Sequence, residues 1–235
     1  MELTQQELAH LADEVDHVHH EGMRHFHEEV AEAHLDVARA NRRRLVAVGA
    51  GAVAAPLLLT GIAAARRRAY TDEQIAGYAQ SVELAAVAAY GMAAPLLSAA
   101  TAPVAQLFMS HHQQHADAFG AVAGASKASG PNQKLVAAVT PTLQGLKDEN
   151  GALEFAFTLE GQAAYTYAAA LTLLQDPAYA KATSTILPIE AQHQVVLGLA
   201  LGKSLTDVFP TGAFESTALG DGTDPKAGLD PATFA

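Results

Sequence analysis

The sequence predicts an all-α fold: a four-helix bundle preceded by a long amphipathic helix and a hydrophobic signal or anchor segment. Three observations carry this reading. Half of the 235 residues are apolar, yet Ala dominates them and aromatics make up only 6%. That balance favours helix, because Ala is the best helix former and is depleted in strands. Apolar residues recur at close to 3.6-residue spacing through the first forty positions. Three later helix-like stretches each carry one acidic residue in otherwise uncharged sequence: Glu83 between Ile75 and Ser110, Glu160 between Phe155 and Gln175, and Glu190 between Ala182 and Gly202.

Within residues 1–41, the segment 4–40 reads as one amphipathic helix. Its stripe is Leu8, Leu11, Val15, Val18, Met23, Phe26, Val30, Ala33 and Val37, and no Pro and only Gly22 interrupts it. The other faces are acidic and hold His10, His17, His19, His20, His25, His27 and His34. Pairs such as His20 and His27 are two turns apart, about 10 Å, too far for one ion. Only a close pair such as His17 and His20, with Glu21 nearby, can chelate, and a solvated acidic face is the favoured reading. The apolar stripe is expected to dock a protein partner, a membrane-associated partner or a second copy of the chain.

Residues 42–69 read as an export signal or membrane anchor. Asn41-Arg42-Arg43-Arg44-Leu45-Val46 leads into an uncharged run, Leu45 to Ala65, of twenty-one residues, and about 20 suffice to cross 30 Å of hydrocarbon. The paired arginines followed by two apolar residues resemble a twin-arginine signal, although Asn41 and Ala47 replace the usual flanking residues. Ala63-Ala64-Ala65 suits a signal peptidase, and Arg66-Arg67-Arg68 leave the orientation weakly specified. An uncleaved anchor and a buried helix are the alternatives.

Residues 70–204 read as the bundle. Thr71 caps a first helix with Asp72 and Glu73 in its first turn, running to about Ser98. Ala102-Pro103 opens a second, which passes through His111-His112-Gln113-Gln114-His115 and frays between Gly124 and Gly130. A short helical connection over 132–147 is interrupted by Pro141, and a third helix covers 149–175. Asp176-Pro177 starts a fourth that ends near Gly202, with Pro188 kinking it. The tail, 205–235, holds Pro210, Pro225 and Pro231 and is expected to be extended and packed on the bundle.

Net charge is −11, which argues against nucleic acid as a partner, since phosphate contacts need clustered Lys and Arg. The absence of cysteine excludes disulfides, thiolate metal sites and Cys nucleophiles. A lone carboxylate in an apolar helix costs several kcal/mol unless it is neutralised, hydrogen-bonded or bound to a cation. Glu190 and His193, and likewise His112 and His115, are three residues apart, so each pair shares a helix face and can reach one ion. Carboxylates that bridge and imidazoles that cap suit iron or manganese. His111 falls about 100° away and is expected to be solvent-exposed or to support a ligand. Tyr90 and Tyr167 sit seven residues after Glu83 and Glu160, on the same helix faces; core packing is the favoured role for them, and supporting hydrogen-bond donors or radical sites are the alternatives.

These residues resemble the ferritin-like superfamily over about 70–204. In that superfamily four helices offer Glu, Glu-x-x-His, Glu and Glu-x-x-His to a two-metal site. Glu83 in Ser-Val-Glu-Leu-Ala-Ala matches the first position, and His112 and His115 occupy the second-helix pair. Glu160 in Phe-Thr-Leu-Glu-Gly-Gln matches the third, and Glu190 with His193 in Leu-Pro-Ile-Glu-Ala-Gln-His the fourth. The resemblance is nearest to exported bacterial ferritin-like domain proteins related to the desiccation-associated group. It implies an iron or manganese centre, a di-metal oxidoreductase that oxidises iron or handles oxygen species, and a bundle on the extracytoplasmic side of the cytoplasmic membrane. Homo-oligomerisation is compatible with it. One departure matters: His112 stands where the superfamily carries a bridging Glu, so three carboxylates would leave two divalent ions about one unit positive. The alternatives are a non-catalytic scaffold or stress-protection protein with a degenerate site, and a membrane-complex accessory subunit that keeps residues 1–65.

Overall fold

The computed structural model describes residues 3–47, 70–208, 219–220 and 228–231. The predicted signal or anchor run lies outside the described residues from position 48 to 69. No helix among the described residues is long and apolar enough to cross a membrane.

Helix α1 spans Gln5–Ala47 and carries Arg42-Arg43-Arg44 on its last turns. Its start is locked locally: the Thr4 hydroxyl accepts from the Glu7 N–H at 3.2 Å, and the Glu7 carboxylate accepts from the Thr4 N–H at 2.9 Å. The buried seam is Leu8, Ala12, Val15, His19, Met23, Phe26 and Val30, spaced by three and four residues as a helix requires. The occupant of this stripe is the chain's own bundle, where it packs against the helices Ala102–Val122, Pro177–Ser184 and Leu187–Ala200. Two expectations are thereby corrected. Leu11 and Val18 are only half-buried, and His19, expected on the solvated face, takes the seam position between Val15 and Met23. Gly22 permits the approach, since a Cβ there would sit 3.2 Å from the Thr185 carbonyl.

The bundle proper is α2 (Asp72–Ala93), α3 (Ala102–Val122), α5 (Glu149–Leu171) and α7 (Leu187–Ala200), with α4 (Gln133–Gly145) alongside α2 and α6 (Pro177–Ser184) leading into α7. Helix α2 begins with a capping box between Thr71 and Gln74. Asp72 also accepts from the backbone of Gln175 and Asp176 at 2.8 and 2.9 Å, tying that start to the α5–α6 turn. Asn132 and Asp148 cap α4 and α5. Helices α2 and α3 pack as one pair and α5 and α7 as another.

The two prolines behave differently from expectation. Pro141 does not interrupt α4; the carbonyl four residues back belongs to exposed Ala137 and can turn to water. Pro188 does more than kink a fourth helix. It stands in the first turn of α7, where its missing N–H costs nothing, and the chain breaks between α6 and α7.

Two of the apolar clusters in the bundle include residues of α1. One joins Leu8 and Val15 to Phe108, Leu153 and Val196; the other joins Met23 and Phe26 to Phe119, Tyr167 and Ile186. On α1 the residue between them is His19, and at that level the bundle interior turns polar. Beyond α7 come a single turn, α8 (Leu205–Val208), and two-residue strands β1 (Leu219–Gly220) and β2 (Gly228–Leu229), paired in parallel. The tail does touch the bundle at β2, where the Leu229 N–H donates to the Thr166 hydroxyl at 3.0 Å.

Candidate metal centre

Each bundle helix delivers its singled-out residues to one place. Glu83 comes from α2, His112 and His115 from α3, Glu160 from α5, and Glu190 and His193 from α7, and none is more than 2% exposed. They form two overlapping sets, Glu83–His112–His115–Glu190 and His112–Glu160–Glu190–His193, each with its ligand atoms within 4.8 Å of one another. His112 and Glu190 belong to both. The break at Pro188 places Glu190 in the first turn of α7, where the helix dipole favours a carboxylate.

The carboxylates are held unequally. Glu83 accepts from His112 Nδ1 at 2.7 Å and from the Tyr167 hydroxyl. Glu160 accepts from His112 Nε2 at 3.0 Å, from His193 Nδ1 at 3.2 Å and from the Tyr90 hydroxyl. The tyrosines therefore serve across the bundle: Tyr90 on α2 holds the glutamate of α5, and Tyr167 on α5 holds the glutamate of α2. Glu190 differs. His115 Nδ1 approaches it at 2.9 Å without hydrogen-bond alignment, and neither Glu190 oxygen and neither His115 nitrogen has a hydrogen-bond partner among the described residues.

Burial and charge compete throughout. Burial raises the Glu83 carboxyl, but His112 and His115 outweigh it and hold the group down at about 2. Burial likewise opposes ionisation of Glu160, and His112 and His193 overcome it, so its value lies well below the usual carboxylate range. Burial depresses the imidazoles, yet the carboxylates win: Glu160, Glu190 and Glu83 carry His112 well above its ordinary value, and Glu190 with Glu83 brings His115 to about 9. His193 is raised by Glu160 against the same desolvation. Burial, then Glu160 and Glu83 respectively, keep Tyr90 and Tyr167 protonated and able to donate.

His111, expected to be exposed or supporting, is fully buried and supporting. Its Nε2 lies 2.9 Å from Asp16 Oδ1 and its Nδ1 3.0 Å from His193 Nε2. Burial lowers its pKa to about 3, so the ring is neutral. A carboxylate can only accept, so His111 donates from Nε2 and must accept at Nδ1. His193 therefore carries a proton on Nε2, and its Nδ1 faces Glu160 and Glu190. This is the arrangement by which a supporting group orients a metal-binding imidazole. Asp16 and His111 were not among the predicted ligands. Asp16 is four residues before His20 on a face that reads as solvated, and no local spacing links it to position 111.

An apolar cavity of about 90 Å³ runs beside the cluster between α2 and α5. Val82, Ala86, Val139, Leu159 and Leu229 line its walls, and Glu83, His112 and Tyr167 stand at its polar end.

The donor set fits a cation. Among the described residues, neither oxygen of the fully buried Glu190 carboxylate and neither nitrogen of His115 beside it has a hydrogen-bond partner, and their 2.9 Å contact is ionic only. Such orphaned groups are costly in a protein interior, and a divalent ion would satisfy them together. No curated protein and no solved structure matches the chain. A family model for the ferritin-like domain does match, over residues 71–203, a span that contains all six singled-out residues and leaves α1 outside. Four helices presenting buried glutamate and histidine at one level, within a match covering more than half of the sequence, settle the assignment: the chain belongs to the ferritin-like domain family.

Proposed function

We propose that the protein binds iron or manganese at Glu83, His112, His115, Glu160, Glu190 and His193, and that the centre oxidises iron or handles oxygen species. The unpartnered Glu190 carboxylate carries this reading. A bound first-row ion would supply redox change and Lewis acidity in a site shielded from bulk water. The chain's own groups do the rest. Tyr90 and Tyr167 fix the two outer carboxylates, Asp16 and His111 fix the His193 tautomer, and the apolar cavity admits a small uncharged reactant toward Glu83 and His112. Purified protein analysed after reconstitution with Fe(II) or Mn(II) tests the proposal. About one equivalent or more that is lost in Glu190→Gln supports it, and less than about a tenth speaks against it.

A second reading rests on His112. Both of its ring nitrogens are engaged by carboxylates, so its imidazolium cation can stand in for a metal between Glu83 and Glu160. The bundle would then be a non-catalytic scaffold or stress-protection protein whose buried charges cancel. Replacing the six polar groups by apolar residues of similar volume would leave such a protein as stable or more so.

Export or membrane anchoring, read from Arg42 to Val46 and the run that follows, remains part of the proposal with one structural condition. Helix α1 packs on the bundle, a contact that a single membrane crossing between the two or cleavage between them would break and that anchoring with both on one side would keep. A mature N-terminus near Arg66 would remove Asp16 from His111, whereas retention of residues 1–65 keeps the supported centre intact.

A further inference from the structure

We propose that Asp16, His19 and His20 form a second, outer site for a divalent transition-metal ion on the face of α1 that meets the bundle. Its residues come from outside the matched ferritin-like span, and it does not require the buried centre to be occupied. Three observations carry it. Asp16 lies three residues before His19 and four before His20, so its carboxylate can reach both rings, and each residue offers a ligand atom within 4.8 Å of the others. His19 is fully buried, yet neither ring nitrogen has a hydrogen-bond partner among the described residues. Asp16 is only partly buried and His20 is exposed, so an ion can arrive from solvent.

The surroundings favour a cation. His19 stacks on the His111 ring at 3.7 Å between centroids, a contact that fixes its plane and satisfies neither nitrogen. Asp16 Oδ1 lies 3.2 Å from His20 Nδ1 and 2.9 Å from His111 Nε2, so one carboxylate serves both the outer cluster and the inner chain. Donors around a first-row ion lie about 2.0–2.2 Å from it, and the exposed His20 side chain can close the remaining gap. Two imidazoles with one carboxylate suit zinc, cobalt, manganese or ferrous iron. Two other histidine–glutamate contacts on this helix, His17 with Glu21 at 4.0 Å and His25 with Glu28 at 3.5 Å, are exposed and lack a buried donor.

Equilibrium dialysis of the metal-free full-length chain with Zn(II), repeated with Co(II) and its visible absorption, tests the site. The wild type is expected to bind one equivalent more than His20→Ala and one more than His19→Phe, which keeps the stacked ring and removes both nitrogens. His20 is exposed, so His20→Ala should melt like the wild type and its result does not depend on folding. Glu190→Gln should retain the outer equivalent, which separates this site from the buried centre. Equal stoichiometry in the wild type and His20→Ala overturns the proposal, whatever the centre binds. So does an equal loss in His25→Ala, which would mean diffuse binding along the acidic face.

Discussion

His111 Nδ1 lies 3.0 Å from His193 Nε2, and that bond connects the outer helix to the buried cluster. The partner on the far side of His111 is Asp16 of α1. The helix that precedes the bundle thereby sets the proton position on a ring at its centre.

Replacing His111 by Phe keeps the volume and the stack with His19 but leaves the His193 Nε2 proton without its acceptor. A buried donor left unpaired costs about 1–3 kcal/mol, so urea denaturation of the metal-free protein should show a loss of that size. Loss of such a supporting group also weakens metal binding about 10- to 100-fold, which a chelator competition would read. A variant with unchanged stability and affinity would reduce His111 to core filling.

Glu160 and Glu190 are equally buried but unequally held, and substitution should separate them. Glu160→Gln disrupts bonds from Tyr90, His112 and His193, so it should cost more than about 2 kcal/mol in the metal-free state. Glu190→Gln loses the ionic contacts with His115 and His193 at 2.9 and 3.5 Å but breaks no hydrogen bond present among the described residues, so it should cost less than Glu160→Gln while still abolishing metal retention. Equal destabilisation by the two would contradict the view of Glu190 as a group awaiting a cation.

Much of this was legible in the chain. The three lone glutamates, the His112–His115 and Glu190–His193 pairs and the capped start of α2 are local patterns, and all six singled-out residues meet. What stayed hidden depends on contacts distant in sequence. His19 breaks an apolar stripe and reads as solvated until α1 is laid against the bundle. The crossed Tyr90–Glu160 and Tyr167–Glu83 bonds have no trace in spacing, because each tyrosine follows the glutamate it does not serve. Pro188 signalled a disturbance in the fourth helix, but whether it kinks or breaks depends on how α6 reaches α1.

The stability of the metal-free protein should fall toward both acid and alkaline pH. Glu83 is depressed to about 2 in the fold, so its contribution is complete above the ordinary carboxylate range and is lost as pH drops through that range toward 2. His115 is raised to about 9, so its contribution is complete below the ordinary imidazole value and is lost as pH rises through 9. Melting temperatures across this range should be highest between the ordinary carboxylate and imidazole values, on the acid side of neutrality, and fall on either side. A Tm that keeps rising to pH 10 would show that His115 is not charged in the fold.

Metal binding should release protons. At pH 7 the raised values of His112 and His115 keep their rings charged, and an imidazole must lose a proton to ligate. Titration calorimetry in buffers of different ionisation enthalpy should therefore report at least about one proton released per ion. Binding without proton release would place the ion on other groups.

Anomalous diffraction from crystals of the full-length protein grown with Mn(II), recorded above and below the manganese edge, tests the central claim most directly. The account predicts a peak among Glu83, His112, His115 and Glu190 or among His112, Glu160, Glu190 and His193, absent in Glu190→Gln. A well-ordered bundle with His112 still bridging Glu83 and Glu160, and no peak at either set, would contradict it.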